Sequence, residues 1–250
     1  MKKLKYVVAI LLCATLLAGL ILGYIFIPKR TCEQLSVEPH TDNESVVIGQ
    51  AEVERILSSA GVEVLGVQQK DVDLGSISSI LKGNPFVEKV NFVHFAGGKL
   101  VVDYKLRNIV LNVTTSDGGN YLVDDNGYVV PFSPKMTDYL MVVNGKVGGG
   151  KVGSKAPKSV QEALKIAKVI NSDEYYKAQF RQIYIDGNGE PELVSTIGGQ
   201  TIILGSADGI EEKLDNLRAL YENGLQYKGY KTYSQLDTRF KNRIIATKHN

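Results

Sequence analysis

An uninterrupted apolar run from Tyr6 to Ile27, YVVAILLCATLLAGLILGYIFI, constrains this chain more than any other stretch. It holds 22 residues without a charged side chain. As a helix rising about 1.5 Å per residue it would extend about 33 Å, matching a bilayer hydrocarbon core of about 30 Å. Lys2, Lys3 and Lys5 precede it and Lys29 and Arg30 follow it. With so short a leading segment, the early lysines are expected to hold the N-terminus in the cytoplasm, leaving everything from about Lys29 outside. A removable signal peptide would carry an apolar region of about 7–15 residues ending in a small-x-small site. This run is longer and leaves through Phe26, Ile27 and Pro28, so the reading is a retained single anchor, with Tyr6 and Tyr24 near its two interfaces.

Charge divides the chain in the same way. Residues 1–30 hold five of the 29 basic residues and no acid, so the exterior carries 24 basic against 27 acidic residues, a net of −3. That balance lacks the basic footprint of a nucleic-acid binder. Cys13 lies in the apolar run and Cys32 just beyond it, so no disulfide framework is expected and the exterior must rely on its cores. Thirteen tyrosines, 25 glycines and no tryptophan favour strands and turns over a helical bundle.

A short strand is expected near Glu33 to Glu38, closed by Pro39. In Gln50 to Ala60, Val53, Ile56, Leu57 and Ala60 share one helical face, and Gly61 stops the helix. Asp73 is the expected N-cap of a second helix, Leu74 to Leu81, which Gly83-Asn84-Pro85 ends. Two strands follow, Phe86 to Phe95 and, after Gly97-Gly98, a period-two segment with Leu100, Val102, Tyr104 and Leu106 on one side. The order is β-α-α-β-β.

From Ile109 the pattern becomes mainly β. Strands are expected at Ile109 to Thr114, Tyr121 to Val123, Tyr128 to Pro131 and Leu140 to Val143, with Asn126-Gly127 as a hairpin turn. Further strands fall at Gln182 to Asp186, Glu192 to Ile197 and Thr201 to Leu204. Two helices interrupt them. Val160 to Ile170 carries Ser159 and Glu162 as a capping box, and a second begins at Asp208 with Glu211 as capping partner. Thr238 to Ala246 reads as a terminal strand. The fold class is therefore α+β: one N-terminal span, a small β-α-α-β-β unit, and a mainly antiparallel β domain with two helices. The expected divisions are 1–30, 31–107 and 108–250.

No constellation for catalysis emerges. His40, His94 and His249 lie in unrelated elements without metal-ligand spacing. Gly148 to Lys155 echoes a phosphate loop, but Ser154 precedes Lys155 where that motif needs the reverse order; a mobile glycine loop is the simpler reading. The Asp124–Asn126 and Asp186–Glu190 clusters read as turns rather than calcium loops. No catalytic, cofactor or metal residue is assigned. What remains is a strand near the chain's end, where Arg239, Lys241, Arg243 and Lys248 are interleaved with apolar residues. Such charges either protect a sheet edge or engage a partner, and spacing leaves both readings open.

Taken together, the ordered segments resemble the FtsQ/DivIB family of bacterial cell-division proteins. ILKGNPFVEKVNFV (Ile80 to Val93) is similar to the helix–Pro–apolar junction of that family's POTRA domain. GKLVVDYKLRNIV (Gly98 to Val110) is similar to the strand leading into its β domain. YLVDDNGYVVPFS (Tyr121 to Ser133) resembles its central hairpin, and LDTRFKNRIIATK (Leu236 to Lys248) its closing strand. The chain departs from the family at Arg107-Asn108-Ile109, where a proline often stands third, and at Phe240, where tyrosine is usual.

The resemblance implies a POTRA domain at 31–107 and a non-enzymatic scaffold of the division machinery. That scaffold would sit in the cytoplasmic (inner) membrane at the division site, with its bulk periplasmic. Its implied partners are FtsB and FtsL, through which septal peptidoglycan synthesis is supported, with no small-molecule substrate and no nucleic acid. Carried over by position, Thr238, Arg239, Phe240, Lys241, Asn242 and Arg243 would form the edge that binds FtsB by strand addition. Two alternatives stand beside it: a POTRA-containing secretion or outer-membrane assembly component, and an anchored cell-wall enzyme.

Overall fold

The structure, a computed structural model, describes residues 13–19, 30–41, 48–137 and 140–248. Most of the predicted anchor, including Tyr6 and Ile27, lies outside these residues; within it, 13–19 are helical. Among the described residues no helix is long and apolar enough to cross a membrane.

The first sheet has three strands, β1 (Gln34–His40), β2 (Val87–Ala96) and β3 (Lys99–Leu106), in the order β1-β3-β2. Two helices, α1 (Gln50–Ser59) and α2 (Leu74–Lys82), lie between β1 and β2 in sequence. The central strand β3 turns Leu100, Val102, Tyr104 and Leu106 into a core completed by Val53 and Leu57 of α1 and Ile77 and Leu81 of α2. Each fully buried aliphatic side chain there stabilises by about 1.5–3 kcal/mol relative to exposure. Asp73 caps α2 as expected, accepting from Gly75 N at 2.9 Å and Ser76 N at 3.1 Å. Pro39 does not close β1, which runs on to His40. The strand is at an edge, and an edge tolerates a missing donor.

The second sheet has nine strands in the order β6-β5-β4-β7-β8-β9-β10-β11-β12. They are β4 (Ile109–Thr114), β5 (Asn120–Asp124), β6 (Val129–Pro131), β7 (Met141–Gly145), β8 (Phe180–Ile185), β9 (Pro191–Ser195), β10 (Thr201–Ile203), β11 (Tyr233–Asp237) and β12 (Ile245–Lys248). Five neighbouring pairs are antiparallel, but β4·β7, β7·β8 and β10·β11 are parallel. Parallel neighbours need long crossovers. Helices α3 (Lys158–Asn171) and α4 (Glu174–Gln179) supply the one from β7 to β8, and α5 (Ile210–Leu220) the one from β10 to β11. Thus the mainly antiparallel reading holds for most pairs, while the expected two helices are joined by α4, whose cap Asp173 accepts from Tyr175 N at 2.8 Å, and by a single turn, α6 (Gln226–Lys228). One core unites Val160, Ala163, Ile166, Ala167 and Ile170 of α3 and Leu214 and Leu217 of α5 with Leu111, Val143, Ile183, Leu193, Ile202 and Leu236 of the sheet.

Both expected capping boxes are absent. Helix α3 starts behind Pro157 with no side-chain cap, consistent with the preset φ of proline. The Glu162 carboxylate pairs instead with Lys165 at 2.6 Å and accepts from Ala207 N at 3.4 Å, tying α3 to the approach to α5. Helix α5 begins after Gly209, whose φ is +61°, so Asp208 is not its cap.

The predicted terminal strand is also revised. Residues 238–244 form a loop, and strands lie on either side of it as β11 and β12. Period-two alternation is weak there; Thr238 still follows β10, with two hydrogen bonds to Ile203 O, from its backbone N at 3.0 Å and its Oγ1 at 2.8 Å, and Asn242 then turns the chain at φ +58°.

Candidate partner-binding edge

A sheet of nine strands has two edges, and the sequence closes one of them. At β6, Val129 N donates to Ser154 O at 2.8 Å and Gly153 N donates to Val129 O at 2.9 Å. Tyr128 and Lys155 add an antiparallel bridge. The glycine-rich segment, expected to be a mobile loop, is therefore a cover for the β6 edge. Its glycines permit the approach: Gly153 has φ +79°, and a Cβ on Gly150 would stand 2.8 Å from a Val129 methyl.

Among the described residues the other edge is open. Strand β12 is last in the sheet, pairs there only with β11, and all four of its residues are exposed. Its register sets Ile245 opposite Asp237, Ala246 opposite Leu236 and Thr247 opposite Gln235. Unpaired main-chain groups along such an edge are a template for an added strand.

The six residues singled out by sequence lie on the loop leading into this edge. Thr238 is buried and pinned to β10. Arg239 forms a bidentate pair with Asp237, Nε to Oδ1 at 3.0 Å and Nη2 to Oδ2 at 2.7 Å, and its Nη1 is 3.6 Å from Glu190 Oε2. That guanidinium holds the Asp237 carboxyl below its ordinary value. Phe240 is 39% exposed, with the Arg243 guanidinium 5.4 Å from its ring centre. Asn242 turns the chain at φ +58°, a region that asparagine tolerates better than most residues. Together with Lys241, Phe240 and Asn242 line a cleft of about 140 Å³ that faces Asp208, Glu212 and Lys213 at the start of α5. Burial lowers the Lys213 pKa, and its ammonium is held by Leu204 O at 2.8 Å and Ser206 O at 3.0 Å.

The structure thus brings the six residues together as a loop, not as the strand itself. Sequence reasoning missed Ile245 to Lys248 as the edge. The signal was there: β-branched Ile244, Ile245 and Thr247 follow the turn-forming Asn242. Among the described residues no group of three or more His, Cys, Asp and Glu could hold a metal ion. His40 pairs with Asp103 at 3.1 Å, and His94 packs edge-on against Phe92; His249 lies outside the described residues.

Comparison with protein-family models matches residues 30–105 to a POTRA-like domain. Residues 109–247 match the family described as FtsQ/DivIB, C-terminal related. A comparison with curated proteins found no match. The second match covers more than half of the chain, from β4 into β12, and with a POTRA-like unit before it the protein belongs to the FtsQ/DivIB family of cell-division proteins.

Proposed function

We propose that this protein is a non-catalytic, single-span scaffold of the bacterial division machinery. Residues 1–30 form a cytoplasmic tail and anchor, 31–107 the POTRA unit and 108–250 the β domain, both outside the cytoplasmic membrane at the division site. The β domain recruits FtsB, and with it FtsL, by adding a strand of FtsB to β12, and so supports septal peptidoglycan synthesis. The observation that carries this reading is the open, wholly exposed β12 edge at the end of a sheet whose other edge is covered. The loop 238–244 serves as a shoulder against which the added strand ends.

Alternate backbone N–H groups of an edge strand point into the sheet and away from it, and proline removes one of them. Of Ala246→Pro and Thr247→Pro, one breaks a bond to β11 and lowers the melting temperature. The other keeps the fold and weakens binding of the exterior segment of FtsB. Thermal melts and FtsB titrations of both variants decide it. If both stay folded and bind FtsB as the parent does, β12 is not the docking edge.

A further inference from the structure

The helical layer of the first sheet carries a groove of about 320 Å³, remote in sequence from β12. Leu57 and Val64, both buried, floor it, with half-buried Val62 beside them. Leu65 stands 50% exposed at its rim. Glu54 and Glu63 complete the lining, and none of the residues around it is Lys or Arg.

Neither carboxylate is neutralised from within. Arg55, the one base on α1, is turned to Glu52 through bonds of 3.0 and 2.5 Å. Among the described residues Glu54 accepts from the neutral amide of Gln50, at 3.0 Å. Among the described residues neither Glu54 nor Glu63 forms an ion pair. An apolar floor under uncompensated acids suits Lys or Arg, whose stems pack on apolar surface while their heads reach the carboxylates. It repels acidic segments and anionic headgroups alike.

The groove's position narrows the partner further. Its rim continues into Gly66, whose N donates to Cys32 O at 2.8 Å, while Cys32 N donates to Val67 O at 2.8 Å and Gln69 N to Arg30 O at 2.9 Å. The groove therefore sits where the chain enters the first sheet, directly after residue 30. We infer that it docks a juxtamembrane segment of a second membrane-anchored protein, one in which Lys or Arg flanks an apolar side chain. This deepens the scaffold reading and rests on it, because nearness to the bilayer follows from the anchor.

The test places a photoreactive amino acid at Leu65 of the full-length protein in its own cells, and separately at Thr247 on β12. The Leu65 probe is expected to label a peptide with Lys or Arg within two positions of the labelled apolar residue. Reversing both acids, Glu54→Lys with Glu63→Lys, should cut that yield about tenfold or more, equivalent to at least about 1.4 kcal/mol. Labelling from Thr247 and the melting temperature should not change. Glutamate in place of the partner's basic residues should restore the yield. An adduct with lipid, with an acidic segment or with this chain itself overturns the inference. So does an adduct indifferent to charge reversal, or none at Leu65 whatever Thr247 gives. Labelling at Leu65 without labelling at Thr247 would instead sink the β12 reading and leave the groove standing.

Discussion

Arg107 and Asp124 fasten the two sheets to each other. Nη1 of Arg107, just past β3, donates to Oδ2 of Asp124 at the end of β5 at 2.7 Å, and the carboxylate is wholly buried. Arg107 Nε also donates to Pro85 O at 3.0 Å, and Asp124 Oδ1 accepts from Tyr128 N at 2.7 Å. Around this pair, Ile109, Leu122 and Val130 of the second sheet complete the core of the first. The absence of proline at Ile109 is thus met by packing, since the isoleucine side chain fills the junction that a ring would stiffen.

Removing one partner of a buried pair leaves the other charge uncompensated. Arg107→Ala should therefore destabilise the protein by about 3 kcal/mol, whereas Arg55→Ala on the exposed face of α1 should cost less than about 1 kcal/mol. Denaturant melts of the two variants provide the comparison. Equal, small losses would mean that the junction contributes nothing to stability.

Phe240 is too exposed to act as a core residue. Phe240→Ala should leave the melting temperature nearly unchanged and weaken FtsB binding by about 2 kcal/mol. A loss of about 3–5 kcal/mol in stability instead, as for a truncated core aromatic, would move Phe240 from the surface to the interior.

Burial pushes the Tyr104 and Tyr121 hydroxyls from an ordinary 10.0 up to about 12. A raised folded pKa contributes stability that is complete below the unfolded value and disappears as pH rises through the folded one. Stability should therefore fall between about pH 10 and 12, with a cooperative step in tyrosinate absorbance coinciding with loss of circular dichroism. Tyr104→Phe should flatten that dependence, at the cost of the hydroxyl's bond to Ile48 O. Full ionisation with the fold intact would show these rings to be open to solvent.

Gly145 and Gly153 both have positive φ, yet only one is hemmed in. A Cβ on Gly145 would meet Ile185 O at 2.2 Å, while one on Gly153 meets nothing within 4 Å. Gly153→Ala should cost about 1–2 kcal/mol, the left-handed penalty alone. Gly145→Ala should cost more than about 3 kcal/mol or fail to fold, because backbone must move. Similar melting temperatures for the two would contradict the packing at β7·β8.

Much of this was legible in the sequence because period and punctuation agree. Asp73 before Leu74 and Pro85 after Gly83 bracket α2, and the alternation of Leu100, Val102 and Tyr104 marks the core face of β3. Legibility failed where long-range pairing overrides local pattern. Tyr233–Asp237 is polar apart from Tyr233 and Leu236, and becomes a strand because β10 runs parallel beside it. Glu174–Gln179 is too short for helical periodicity to register. The resemblance places the edge at Thr238 to Arg243 by position, but Asn242 turns that stretch at φ +58° and the strand resumes at Ile245.

The glycine cover on β6 has a consequence for stoichiometry. With one flank of the sheet occupied by residues 153–155 of the same chain, the β domain has a valence of one toward strand addition. A sheet open on both flanks could link head to tail without end. On the proposed reading, the second sheet of each copy accepts a single strand, whether from FtsB or from a second copy, and growth through that sheet stops there. Assembly around this protein would then be counted by the number of its molecules, not extended by them.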